Sequence, residues 1–414
     1  MPVDEPCADE ADTGDRHPWR AALGLGLFAI VGGMFASTLL QSMLGHTAWW
    51  IPGDAWISLR AAHYVPQGTY PLIYETGTVH DVFAAGPLVP LVLAPIAAIG
   101  DLFHLQESYP LPRAYPSMWL VFGPYTLASA IPLLYAARAL ATQVGIRAGR
   151  LFLQWMVLLF VFVPIVVVYG HFEDAVALAL LMLAFRNLFA ARELRGALFV
   201  AAAIVFKQWA LLAVPVYVAA CPSVLRARTA VRSVVPPVLF MGAFVAVDHP
   251  YATRALLQPG TWASLGHSAL WLPATADYVS SVPARTGAFA LALLVGWFTR
   301  NERDPVTVLG ALGCVLLSRF LFESVVHAYY LAPGIAVLLL AEWALGSRGR
   351  RFVTQVMLGA ALLLAFPFHP PRLLWWIVVY VLTAALLWRP VSRLADRRTA
   401  SAAGAAVSAR VLTS

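Results

Sequence analysis

Long apolar runs separated by short polar segments make up most of this chain. The runs fall at roughly 20–44, 116–138, 151–169, 174–191, 233–247, 286–299, 305–322, 328–345, 352–368 and 372–388. Each is close to the length a helix needs to cross a hydrocarbon core, so the pattern predicts about ten transmembrane helices. The segments between them alternate in charge. Arg138, Arg147 and Arg150 mark one inner loop, Arg186, Arg192 and Arg195 the next, and Arg226, Arg228 and Arg232 another. Further inner clusters follow at Arg300 and Arg303, at Arg348, Arg350 and Arg351, and at Arg389, Arg393, Arg397 and Arg398. Under the positive-inside rule this alternation places both termini in the cytoplasm.

Two apolar segments do not fit simple crossing. Residues 196–220 have arginine on the same side at both ends, which predicts two half-helices meeting at Lys207-Gln208-Trp209. A break of that kind is tolerated in a membrane where it lines a cavity. Residues 83–100 hold three prolines, and if they crossed, the arginine-rich loop after 138 would lie outside. They are therefore expected as a re-entrant or interfacial helix on the outer face.

Composition agrees with this threading. The 414 residues are 60% hydrophobic and 12% charged, with a mean hydropathy of +0.74. That describes a polytopic integral membrane protein rather than a soluble domain. The net charge of +7 comes from arginines interleaved with apolar runs, so it does not point to nucleic acid. Cys7, Cys221 and Cys314 are scattered and predict neither a disulfide framework nor a zinc site. Residues 1–19 read as a disordered cytoplasmic tail before an uncleaved first helix, and 391–414 as a second cytoplasmic tail. One all-α transmembrane domain is expected over 20–390, with outer loops at 45–115 and 248–285.

The candidate chemistry collects on one side of this topology. Nine histidines fall at or near the outer face, together with Asp54, Glu75, Asp101, Glu173, Asp174, Asp248 and Glu323. Asp54 follows the aromatic pair Trp49-Trp50 and a Pro-Gly turn, at the start of the short helix AWISLRAAHYV. It reads either as an N-cap or as a carboxylate placed to take a proton from a hydroxyl. Lys207, the chain's one lysine, lies deep in an apolar run. A charge at that depth is costly and faces a partner. It reads either as an anion holder or as a structural ammonium satisfying carbonyls at the helix break.

These residues resemble a family. Asp54, Trp56, Ala61, Gly68, Tyr70 and Tyr74, followed by Gly86-Pro87-Leu88, are similar to the first loop of the GT-C superfamily of membrane glycosyltransferases. The resemblance is nearest to glycosyltransferase family 87 and the polyprenyl-phosphate-mannose-dependent mannosyltransferases. The segments YGHFEDAVALALLMLAF at 169–185, FKQWALLAVP at 206–215 and HAYYLAPG at 327–334 extend it in the expected order. The resemblance implies a GT-C-like fold and transfer of a sugar from a polyprenyl-phosphate donor to a glycan or glycolipid acceptor outside the cytoplasm. Mannose is the first choice of sugar and arabinofuranose the second.

On that basis Asp54 is the general base and the anomeric centre inverts. Lys207, Arg319 and His327 would hold the donor phosphate, while His171, Glu173, Asp174, Tyr74 and Glu75 would meet acceptor or sugar. His171 and His327 also read as interface residues, and Glu173 or Asp174 as a helix cap. Trp56 stands where an Asp-x-Asp would place its second carboxylate, so no metal site and no cofactor are expected. The competing expectation is a lipid-linked sugar flippase or secondary transporter, which also builds on broken helices. Against it, the sequence has no internal repeat, and the acidic and histidine residues gather at one face.

Overall fold

The computed structural model of this chain describes residues 18–43, 51–76, 83, 85–105, 117–146, 150–257, 277–300, 302–322 and 328–344. The expected spans 352–368 and 372–388, both tails apart from Pro18 and Trp19, Trp49-Trp50 and His327 lie outside the described residues. Within them the chain is helical, without strands.

The helices in order are α1 (Pro18–Met43), α2 (Gly53–His63), α3 (Leu88–Leu102), α4 (Trp119–Leu127), α5 (Ala130–Gln143), α6 (Arg150–Val157) and α7 (Phe172–Phe189). Then come α8 (Glu193–Phe206), α9 (Val214–Ala220), α10 (Ser223–Val247), α11 (His249–Leu257), α12 (Asp277–Phe298), α13 (Pro305–Ser318) and α14 (Ala332–Ala344). Among the described residues, four helical stretches are long and apolar enough to cross a membrane: Trp19–Leu39, Trp119–Gln143, Leu151–Val168 and Ser223–Val247.

Their surfaces carry the signature of a membrane protein. In α1 the buried stripe is Ala22, Gly26, Ala29, Gly33 and Ser37, all small. A Cβ on Gly26 would lie 2.2 Å from the Ile131 side chain, and one on Gly33 2.7 Å from Leu127. Small residues let helix backbones approach closely where hydrophobic burial gives no drive. The opposite face carries Leu27, Phe28, Val31 and Phe35, all exposed. A row of large apolar side chains facing outward on a long helix suits lipid.

The core is built around α7, which packs on α5 and α8, while α8 packs in turn on α10. A second pairing joins α13 to α14. Helix α6 continues as a π-helical stretch, Leu158–Val168, around Pro164. Wide windings of this kind recur near functional sites.

Several elements run differently from their sequence boundaries. Helix α10 begins at Ser223, so Arg226, Arg228 and Arg232 ride on its first turns rather than in a loop. Residues 88–102 form α3, a single 15-residue helix packed on α2 and shorter than the ~20 residues a crossing needs. The break in 196–220 falls where charge placement predicts it. Helix α8 ends at Phe206, Lys207 is extended (φ −151, ψ 121), and the chain resumes as a 3₁₀ turn, Gln208–Ala213, before α9.

Candidate functional site

Two glycines bring the site together. At Gly170 the chain leaves the π-helical stretch with φ +76, a region L side chains rarely adopt. A Cβ there would sit 2.5 Å from the Ala55 Cβ and 3.0 Å from the Pro52 Cβ. Glycine therefore lets the turn before α7 press against the start of α2. Gly86 does the same for the other loop. Its N–H donates to the Phe206 carbonyl (3.0 Å), and a Cβ would lie 1.6 Å from the Val205 oxygen. The Gly86-Pro87-Leu88 segment thus seats directly on the helix break and satisfies a carbonyl the break exposes. The Tyr70 hydroxyl donates to the Pro87 carbonyl and ties the segment down.

At this junction the charged residues form one chain of contacts. Asp54 Oδ2 lies 2.7 Å from His171 Nε2. His171 Nδ1 lies 2.7 Å from Glu173 Oε1, which also accepts from Lys207 Nζ at 2.8 Å. Lys207 Nζ is 4.0 Å from Asp174 Oδ2, and the Trp209 indole N–H donates to Asp174 Oδ1. Glu173 and Asp174 are almost fully buried, whereas the Asp54 side chain keeps 56% exposure. One end of the chain of contacts therefore opens outward and the rest is interior.

Aromatic rings wall the interior end. The His171 ring lies against Tyr329 (centroids 4.6 Å apart), and Tyr329 meets Tyr169 at 4.9 Å and Tyr330 at 4.6 Å. The Arg319 guanidinium lies 4.3 Å from the Tyr330 ring centre and 5.9 Å from that of Trp209. Cation–ring contacts of this kind are favourable when desolvated.

The electrostatics follow from this arrangement. Desolvation alone would raise the Asp54 pKa, but the His171 charge and contact, with the Lys207 ammonium behind, hold it below the ordinary aspartate value. Burial and the Lys207 charge both oppose a protonated His171. Glu173 and Asp54 outweigh them, and the ring is pushed up to about 9. The junction thus favours the protonated form of His171 despite the Lys207 ammonium 3.4 Å from its Nδ1.

The expected site residues divide by place. Asp54, His171, Glu173, Asp174 and Lys207 come together, with Arg319 close by. Neither capping expectation is realised. The N-cap of α2 is Pro52 and that of α7 is His171, and neither helix has a side-chain cap bond. Lys207 meets carboxylates of its own chain rather than backbone carbonyls. Tyr74 packs instead against Phe83 and Phe244. Glu75 is exposed and acts on Asp248, whose carboxyl is raised first by burial and then by the Glu75 charge. Among the described residues no group of three or more His, Cys, Asp or Glu is arranged to hold a metal ion.

Sequence reasoning missed Trp209 as a partner of Asp174, Tyr329 as the wall behind His171, and Gly170 as the hinge of the junction. A glycine directly before a histidine and an acidic pair at a helix start was the available signal. Searches with this chain match no protein-family model and no curated protein.

Proposed function

We propose that this chain is a GT-C-like membrane glycosyltransferase of the cell membrane, multi-pass, with both termini cytoplasmic. It moves a sugar, mannose first and arabinofuranose second, from a polyprenyl-phosphate donor to a glycan or glycolipid acceptor on the extracytoplasmic face. The observation that carries the reading is the Asp54 carboxylate, open on one side and held on the other by His171 at 2.7 Å. A carboxylate fixed at the mouth of an otherwise interior cluster is placed to take the proton of an attacking hydroxyl. The new glycosidic bond forms as the bond to phosphate breaks, in a single displacement that inverts the anomeric carbon.

The leaving polyprenyl phosphate gains charge in that step and needs cations near it. Arg319 and His327 serve as contacts. Lys207, already beside Glu173 at 2.8 Å, contributes chiefly through its field. Glu173 and Asp174 orient hydroxyls from behind, and the exposed Glu75 meets the acceptor further out, while Tyr74 stays packed in the core.

The test is transfer of label from radiolabelled polyprenyl-phosphate-mannose, and then polyprenyl-phosphate-arabinose, to a panel of lipid-linked and free glycans by purified protein. Labelled product that disappears with Asp54→Asn supports the reading, and absence of product from both donors across the panel sinks it.

One observation favours a second reading. A buried relay of titratable groups at a broken helix also suits a proton-coupled flippase or transporter. Proteoliposomes carrying the labelled lipid separate the two: transport gives flux of intact donor without a new glycosidic bond.

A further inference from the structure

His171 stands at the centre of the junction without an assigned chemical step. Its backbone is fixed by donation from its N–H to the Ile165 carbonyl at 2.8 Å. Its ring is buried and lies tilted against Tyr329, and each ring nitrogen lies 2.7 Å from a carboxylate oxygen. Nδ1 also faces the Lys207 ammonium at 3.4 Å. A neutral imidazole has one donor and one acceptor, so the form with a proton on both nitrogens suits the two flanking carboxylates best. Asp54, by contrast, projects from the first turn of α2 without a capping bond, and more than half of its side chain is open. Left to itself, such a carboxylate would sample several rotamers.

We propose that His171 is a positioning residue, a doubly tied imidazolium that aims the Asp54 carboxylate, and that Glu173 with Lys207 holds this ring in place. This assignment differs from contact with sugar or phosphate. The groups facing the ring are Asp54 from α2, Glu173 from α7, Lys207 from the helix break and Tyr329 from the turn before α14. Asp174 stands behind Lys207, Tyr169 beside Tyr329, and Arg319 beyond Tyr330. Holding a reacting group in one geometry removes its conformational search from the barrier, and losing that hold commonly costs about a hundredfold in rate.

Two measurements test the assignment, and only the second rests on the proposed transfer reaction. The first follows ¹⁵N-histidine resonances of the full chain in lipid nanodiscs across pH, with His171 identified by its loss in His171→Gln. Expected is a ring protonated on both nitrogens at neutral pH, with its titration lowered by about one pH unit or more in Asp54→Asn. Should His171→Gln fail to fold, the resonance that moves in Asp54→Asn identifies the ring. A His171 neutral at neutral pH, or no resonance moved by Asp54→Asn, overturns the proposal.

The second measurement compares steady-state transfer from polyprenyl-phosphate-mannose by wild type and His171→Gln. Expected is a fall in kcat of about a hundredfold with the donor and acceptor KM changed by about twofold or less. A raised KM with kcat preserved would make His171 a substrate contact instead. If wild type transfers nothing, the glycosyltransferase reading fails, and the nanodisc titration still decides the role of His171.

Discussion

Asp54 Oδ2 and His171 Nε2 meet at 2.7 Å, although one residue opens the short helix after the first span and the other precedes α7. The contact depends on Gly170, because any side chain there would strike Pro52 and Ala55. It places an exposed carboxylate against a buried cation. That is a way to keep a group ionised and oriented at the edge of a low-dielectric interior.

The first prediction concerns Asp54. With Asp54→Asn, turnover in the transfer assay should fall on the order of 10²–10⁴-fold, the scale of general-base removal. The melting temperature should fall only slightly, because the side chain is largely exposed and makes no capping bond. Turnover near wild type would remove Asp54 from the chemistry.

Much of this site was legible in the sequence, though not its pairings. Arginine placement located the helix break at Lys207, because charge on one side at both ends of an apolar run leaves few other solutions. The cost of burying an ammonium correctly demanded a partner. The identity of that partner was hidden, since Glu173 lies in the first turn of α7 and Lys207 just past the end of α8, and only packing of α7 on α8 joins them. Asp54 read naturally as a cap because it follows Pro-Gly. The helix instead begins one residue before it, at Gly53, which turns the carboxylate outward to meet His171. Tyr74 and Glu75 illustrate the opposite case: closeness in the first loop did not carry them to the junction, because the turn at Tyr70–Thr76 packs towards Phe244.

Lys207→Met should destabilise the protein. It leaves Glu173 as a buried charge without its ammonium, a loss of about 3–5 kcal/mol for broken buried pairs. The double variant Lys207→Met with Glu173→Gln should recover part of that loss, since only Asp174, which keeps its bond from Trp209, then lacks the ammonium. Melting temperatures of the two variants in the same detergent check this. Equal destabilisation in both would mean the pair is not what holds the junction.

Gly86→Ala should be far more damaging than Gly24→Ala. The new methyl at position 86 would meet the Val205 oxygen at 1.6 Å, so the Gly86-Pro87 segment must leave the helix break. At Gly24 nothing lies within 4 Å, and alanine in a helix is favoured over glycine by about 1 kcal/mol. Thermal melts should therefore move in opposite directions. Similar shifts for both would contradict the seating of Gly86 on the break.

Topology can be read by cysteine labelling in a variant lacking the native cysteines. Gln67→Cys, exposed after α2, should react with a membrane-impermeant thiol reagent in intact cells. Thr142→Cys, exposed near Arg138 on α5, should react only after permeabilisation. The reverse pattern would turn the protein over and move the Asp54 junction to the cytoplasmic side.

The pH dependence of stability has a definite sign. His171 is raised in the folded chain to about 9, with burial and Lys207 opposing and Glu173 and Asp54 prevailing. A group whose pKa is raised by folding stabilises fully below its unfolded value, about 6.5 for histidine, and loses that contribution as pH rises through the folded value. Asp54 acts oppositely. Its lowered pKa stabilises above the ordinary aspartate range and is lost only in acid. Between neutral pH and about 9, then, Asp54 is constant and His171 governs the slope. Melting temperature should fall across that interval in wild type and fall less steeply in His171→Gln, whose side chain does not titrate. A wild-type melting temperature that stays level from neutral pH to pH 10 would show that His171 is not held as an imidazolium between Asp54 and Glu173.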